Sequence, residues 1–258
     1  MVALCYTEPL HPAPRSAFDR IRRALLVTVL SILIPPYLAY AYLFQRSFID
    51  PIMSAAKRES IKLDPKYKNP DLLKRIWSTK VGKIYLESDL EYQCQEGYCS
   101  SATMRNILKS IGISSLPPPR SGASTPLKYA QAIDKASNGQ TTSSIVYGSE
   151  GYEAFMCTVK KANDPNYRVA VNFLRSPLFG ITQPSYLPIN FVLALFGGHF
   201  SVIVGYLEDE DLVAVFDVNH TYGPYLVDSK RLYDAVNSYD KMANNTRALI
   251  VSQVNISN

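Results

Sequence analysis

The sequence predicts an α+β domain, with helices first and strands after, behind one long apolar helix near the N-terminus. Three observations carry that prediction. Residues 24–44 contain no charge. From Cys99 to about Ala162, apolar residues recur at helical spacing,. From Tyr167 onward the chain turns to short β-branched runs separated by turn residues,. Helices segregated from strands in this way read as helices stacked on an antiparallel sheet.

Residues 1–23 are basic, with Arg15, Arg20, Arg22 and Arg23 ahead of the apolar run. Residues 24–44 (ALLVTVLSILIPPYLAYAYLF) are long enough to span a bilayer,. The preceding arginines favour a cytoplasmic N-terminus, hence a single-pass anchor with the following domain exported or lumenal. A second reading is a signal peptide cleaved after Ala41, since Ala39-Tyr40-Ala41 has the small-residue pattern of a cleavage site,. The third is a buried soluble helix, which Pro35-Pro36 makes awkward,. Residues 45–84 are polar and charged and read as a linker into a catalytic domain over 85–258.

Within that domain, Ser100–Ile113 has Ala102, Ile107, Leu108 and Ile111 at helical spacing, with Gly112 as a stop,. A Pro/Ser/Gly-rich loop follows,. Helices are expected over Leu127–Ala136, Gly151–Ala162 and Arg231–Ser238. Strands are expected over Tyr167–Leu174, His199–Tyr206, Leu212–Val218 and Arg247–Val254, the middle two forming a hairpin across Asp209–Asp211,.

Composition narrows the function. Apolar content of 47% and charged content of 19% suit a globular protein,. A net charge of +5, with Lys and Arg scattered, describes a solvated surface rather than a nucleic-acid groove,. Four cysteines (Cys5, Cys94, Cys99, Cys157) form neither a disulfide framework nor a CxxC pair, and there are three histidines. A structural metal site is therefore not expected.

One cysteine stands apart. Cys99 opens a helix, where unpaired N–H groups and the helix dipole favour a thiolate,. His199 follows Gly197-Gly198 at the start of a strand, and Asp217 ends the next strand in an otherwise apolar run. A histidine beside the thiol can take its proton, and a carboxylate can orient that histidine. Taken singly, each has a bland reading: a buried small hydrophobe, a core or surface histidine, a turn-forming aspartate. In the order Cys–His–Asp, with the last two on neighbouring strands, they point to nucleophilic acyl transfer.

These residues carry a resemblance. The chain resembles the catalytic domain of the phytochelatin synthase family, papain-like enzymes that act on glutathione. The match runs through Gln93-x5-Cys99, Tyr98 and Ala102-Thr103, then Gly198-His199-Phe200-Ser201-x-Ile203-x-Gly205-Tyr206, then Asp217-Val218. Pro224 and the helix at Leu232-Tyr-Asp-Ala-Val fit as well. The resemblance implies a papain-like fold over roughly residues 85–252. It implies Cys99 as nucleophile, His199 as base, Asp217 as its orienter and Gln93 as side-chain donor to the oxyanion. It also implies cleavage of the Cys–Gly amide of glutathione through a γ-glutamylcysteinyl thioester, passed to glutathione, to a growing phytochelatin or to water. No tightly bound cofactor is implied; Cd or Zn ions enter as thiolate-bound substrate or activator.

Three positions bear on substrate binding. Arg175 stands where the family also has an arginine, and its alternative is a surface ion pair. Ser100, with Ser101, replaces the family's Gly-Leu after the cysteine. His220 replaces an arginine of the motif after the aspartate, which bears on donor specificity. The apolar stretch 176–197 is longer than in the family and reads as a buried loop or extra strand, or alternatively as a lid or membrane-contacting flap,. Asn219, Asn244 and Asn255 begin glycosylation sequons,. Another papain-like peptidase or amidase, and a membrane-tethered binding module without turnover, are the competing readings.

Overall fold

A computed structural model describes residues 6–12, 16–120, 125–181 and 194–255. Helix α1 (Ala17–Phe44) leads into α2 (Arg46–Ala56), α3 (Pro70–Ser78) and α4 (Lys80–Glu87). Then come α5 (Cys99–Ser110), α6 (Pro126–Ala136), β1 (Thr141–Tyr147), α7 (Tyr152–Lys160) and β2 (Tyr167–Leu174). A short α8 (Ser176–Phe179) precedes the hairpin of β3 (Gly198–Leu207) and β4 (Leu212–Phe216). The chain closes with β5 (Pro224–Asp228), α9 (Ser229–Val236), the small pair β6 (Tyr239–Asp240) and β7 (Asn245–Thr246), and β8 (Ala248–Val254).

Six strands form one sheet in the order β1-β8-β2-β3-β4-β5, each neighbouring pair antiparallel. Side chains alternate across it with period two. Ala170, Phe200, Val202, Val204, Ala214, Phe216 and Ile250 join one core with Ile76, Trp77, Tyr85, Ile107 and Tyr129 of α3–α6. Val169, Val171, Phe173, Ile203, Val213, Val215 and Leu249 join a second core with Phe155 and Val159 of α7 and Leu232 and Val236 of α9. The sheet is thus buried on both faces, which is why β2, β3 and β4 read as nearly continuous apolar runs rather than alternating ones.

The mixed helical and antiparallel architecture is the one the sequence predicts. One expectation is corrected. Residues 45–84 are not a linker: they hold α2, α3 and the start of α4, and Ile76, Trp77 and Val81 are core residues. The lysines of this stretch dilute its hydropathy, while helices of nine and eight residues leave too few turns for the apolar stripe to stand out. Its punctuation was legible. Asn69 caps α3 by accepting from the Asp71 and Leu72 amides, with Pro70 in the first turn, and Thr79 caps α4 by accepting from Gly82 N–H,.

Helix α1 is long and apolar enough to cross a membrane, and a signal sequence near an N-terminus passes the same test. It continues through Pro35-Pro36 without a break. Near its C-terminal end it packs on α2, where Ala41, Ile49, Ile52, Leu174 and Leu195 form a third apolar cluster. Of the insert 176–197, both stems are described: Leu178 and Leu195 are buried, and Ser176 Oγ donates to Ala194 O at 2.6 Å. The buried loop, extra strand, lid and flap readings all fall on 182–193, outside the described residues.

Candidate active site

The site forms where the start of α5 meets the start of β3 and the end of β4. Helix α5 begins at Cys99 after Gly97, whose φ of +94° turns the chain into the helix,. Its N-cap, Tyr98, supplies no capping side chain, and the first intrahelical bond is Ala102 N–H to Tyr98 O. The amides of the first turn therefore stay free to face a negative charge at Cys99.

Strand β3 presents His199. Its partner across the ladder is Phe173, whose ring meets the imidazole edge-on at a centroid distance of 5.5 Å. His199 Nε2 lies 2.6 Å from Asp217 Oδ1, eighteen residues on, and both side chains are buried. Asp217 Oδ1 also accepts Asn219 N–H at 2.8 Å, and the Asp217 amide donates to Gly223 O. The carboxylate is thus held from its own loop. With Nε2 committed to Asp217, Nδ1 is the ring nitrogen left for Cys99, which hydrogen-bonds to His199 and accepts from Phe200 N–H.

Electrostatics follow from that geometry. Burial by itself would raise the Cys99 thiol; the charge and hydrogen bond of His199, the Phe200 amide and the charge of Arg175 outweigh it and bring the thiol below its usual range,. Burial by itself would lower His199; the Asp217 carboxylate first, then the Cys99 thiolate, override it and raise the imidazole to about 9. Each group stabilises the charged form of the other, so the geometry favours a thiolate–imidazolium pair,.

Gln93 is buried, and its N–H donates to Val218 O at 2.7 Å, tying it to the loop of Asp217. Its Oε1 has no partner among the described side chains and backbone. Ser100 is buried in the first turn of α5. Arg175, at the end of β2, lies close enough to act on the charge of Cys99. His220 is drawn elsewhere: exposed, with its ring 5.2 Å from His11 and 6.2 Å from Tyr92.

Arg247 is a residue the sequence reading missed. It is buried, reaches Asp240 Oδ2 at 3.2 Å, leaves Nε unpartnered, and feels the field of Cys99. A Cβ on Gly198 would lie 2.2 Å from Arg247 Nη1, so the glycine beside His199 is what lets the guanidinium approach. The Gly197-Gly198 pair was the only sequence signal for it. Among the described residues, no three His, Cys, Asp or Glu side chains are grouped to hold a metal ion, and Cys94, Cys99 and Cys157 are free thiols.

A half-buried cysteine at a helix N-terminus, paired with a histidine that is oriented by a carboxylate, is an arrangement suited to acyl transfer through a thiolate,. Residues 127–249 match the family model described as phytochelatin synthase. This match to a phytochelatin synthase family domain points to glutathione-related acyl transfer. The matched span includes Arg175, His199, Asp217 and Arg247; Gln93 and Cys99 lie ahead of it and are joined to it by the fold. A search of curated proteins returns no match.

Proposed function

We propose that this is a papain-like cysteine acyltransferase that cleaves the Cys–Gly amide of glutathione. The observation that carries the reading is the Cys99–His199–Asp217 relay, whose histidine and aspartate lie within the span that matches the phytochelatin synthase family model. The Cys99 thiolate attacks the amide carbonyl carbon. The oxyanion that forms is met by the Cys99 amide and the Gln93 side chain. As the C–N bond breaks, His199 gives its Nδ1 proton to the leaving nitrogen, and glycine departs. A γ-glutamylcysteinyl thioester remains on Cys99. His199, now neutral, takes a proton from the incoming amine of a second glutathione or of a phytochelatin, or from water, and the thiolate is regenerated. Heavy-metal ions enter as thiolate-bound substrate.

Glutathione carries two carboxylates, and Arg175 and Arg247 are the guanidinium groups whose charges couple to the thiol. We assign them to those carboxylates. Ser100 shapes the pocket floor. His220 takes no part in holding the donor, because it faces His11 and Tyr92. We place the start of the domain ahead of residue 85, since Ile61, Tyr67, Ile76 and Trp77 already belong to its cores. Membrane attachment through residues 24–44 is our reading in preference to a cleaved signal, because Ala41 packs with Ile49, Ile52, Leu174 and Leu195 and so belongs to the folded unit.

The test is incubation with glutathione, with and without Cd²⁺, read by mass spectrometry. Free glycine with γ-glutamylcysteine or phytochelatins, absent in Cys99→Ala, is the expected outcome. No glycine release from an intact, folded chain overturns the proposal.

A further inference from the structure

Helix α1 joins two parts of the chain that both rest on the catalytic layers. On its N-terminal side, residues 6–12 lie against the active-site face. The Tyr6 ring stacks on Trp77 with centroids 5.1 Å apart, and its hydroxyl is 3.3 Å from Tyr92 Oη. Tyr92 Oη in turn donates to Glu8 Oε1 at 3.3 Å, and His11 meets His220. On its C-terminal side, α1 turns directly into α2, whose Ile49 and Ile52 pack on Leu174 at the end of β2.

The stretch between obeys the same restraint. Val27, Leu30, Ser31, Ile34, Tyr37, Leu38 and Ala41 are partly or fully covered, the spacing of one helical face,. That covered stripe extends about 21 Å at 1.5 Å per residue. A helix crossing a bilayer needs about 30 Å of its length surrounded by lipid and its two ends on opposite sides. From Pro12 to the helix start at Ala17, five residues reach at most about 18 Å. Neither end of α1 is free to leave the domain's side.

The other face is uncovered and apolar: Leu25, Leu26, Val29, Ile32, Leu33 and Leu43 are more than half exposed. Arg20, Arg22 and Arg46 are exposed at its two ends. A helix lying in a membrane interface ordinarily turns a polar face to water. Near the C-terminal end of that face protein takes the place of water: Tyr37, Leu38 and Ala41 pack with Ile49, Ile52, Leu174 and Leu195.

We propose that α1 lies in the plane of an anionic lipid surface, with its uncovered face in the acyl boundary and residues 6–12 on the same side as the catalytic layers. The arginines at its ends engage acidic headgroups. A single crossing, the expectation from the sequence, would carry residues 6–12 away from Trp77 and Tyr92.

The test uses the full chain made in the presence of sealed microsomes, with an impermeant maleimide read at Thr7→Cys and at native Cys157, which is exposed on α7. Both are expected to react from the same side; reaction from opposite sides overturns the proposal. In flotation with phosphatidylcholine–phosphatidylserine vesicles, the chain is expected to rise with the lipid, and Leu25→Asp with Leu33→Asp to cut that fraction at least tenfold while glycine release is retained. Flotation unchanged in the double variant, or a soluble dimer that ignores vesicles, also overturns it. The labelling and flotation readouts do not depend on the identity of the substrate.

Discussion

Replacing Asp217 by Asn keeps the size of the side chain and an acceptor for Asn219 N–H, and removes one charge beside His199. Asp217 is the largest influence raising His199, which stands at about 9 instead of 6.5. That rise is worth roughly 3 kcal/mol at 1.36 kcal/mol per pH unit. At pH 8, a group titrating at 9 is about nine-tenths protonated, whereas one at 6.5 is about one-thirtieth protonated. If the whole rise is lost, the ion-pair population falls by at most about 30-fold at pH 8 and by less than about twofold at pH 6. The sign is fixed: a weaker imidazolium also lets the Cys99 thiol rise, so the acid limb moves up as the alkaline limb moves down. The assay is kcat/KM for glycine release from glutathione between pH 5.5 and 9.5. The expected result is a narrower bell and a wild-type-to-variant ratio that grows with pH. A ratio independent of pH would refute the coupling between Asp217 and His199.

Other perturbations give separate readouts. His199→Ala should cost at least about 10³-fold in turnover, because nucleophile and base act as a unit; near-normal rates contradict the assignment. Gln93→Ala should lower kcat by about 10²–10³-fold with little change in KM, as for loss of one oxyanion donor, which steady-state kinetics will show. Arg247→Met should raise KM for glutathione more than it lowers kcat, and an unchanged KM would remove Arg247 from the substrate site. Ile76→Ala should destabilise the chain by about 2–5 kcal/mol in urea unfolding; a change near zero would restore residues 45–84 as a linker.

Much of the catalytic geometry was legible because chemistry and strand pattern coincided. Tyr167–Leu174 is β2 to the residue, and the hairpin of β3 and β4 puts His199 in β3 beside Asp217, which directly follows β4. The edges of the sheet were not legible. β1 reads TTSSIVY and is only partly buried, so its polar half conceals a strand. β5 starts at Pro224, an amide-free residue that an edge strand tolerates,. Arg247 was hidden because its importance lies in proximity to Gly198, forty-nine residues earlier, and nothing local in Asn-Thr-Arg-Ala announces burial. Asn219 heads a sequon, yet it is 6% exposed and its Oδ1 accepts Thr221 N–H, so its tertiary place rules out the glycan that its sequence invites.

The central claim is that Cys99 carries the acyl group. Intact-mass and peptide-level spectrometry of the chain, mixed with glutathione and quenched in acid within the first turnover, tests it most directly. The predicted result is a γ-glutamylcysteinyl thioester on the peptide containing Cys99, stoichiometric with glycine released and lost in Cys99→Ser. Glycine release with no adduct at Cys99, or an adduct confined to Cys94 or Cys157, would contradict it.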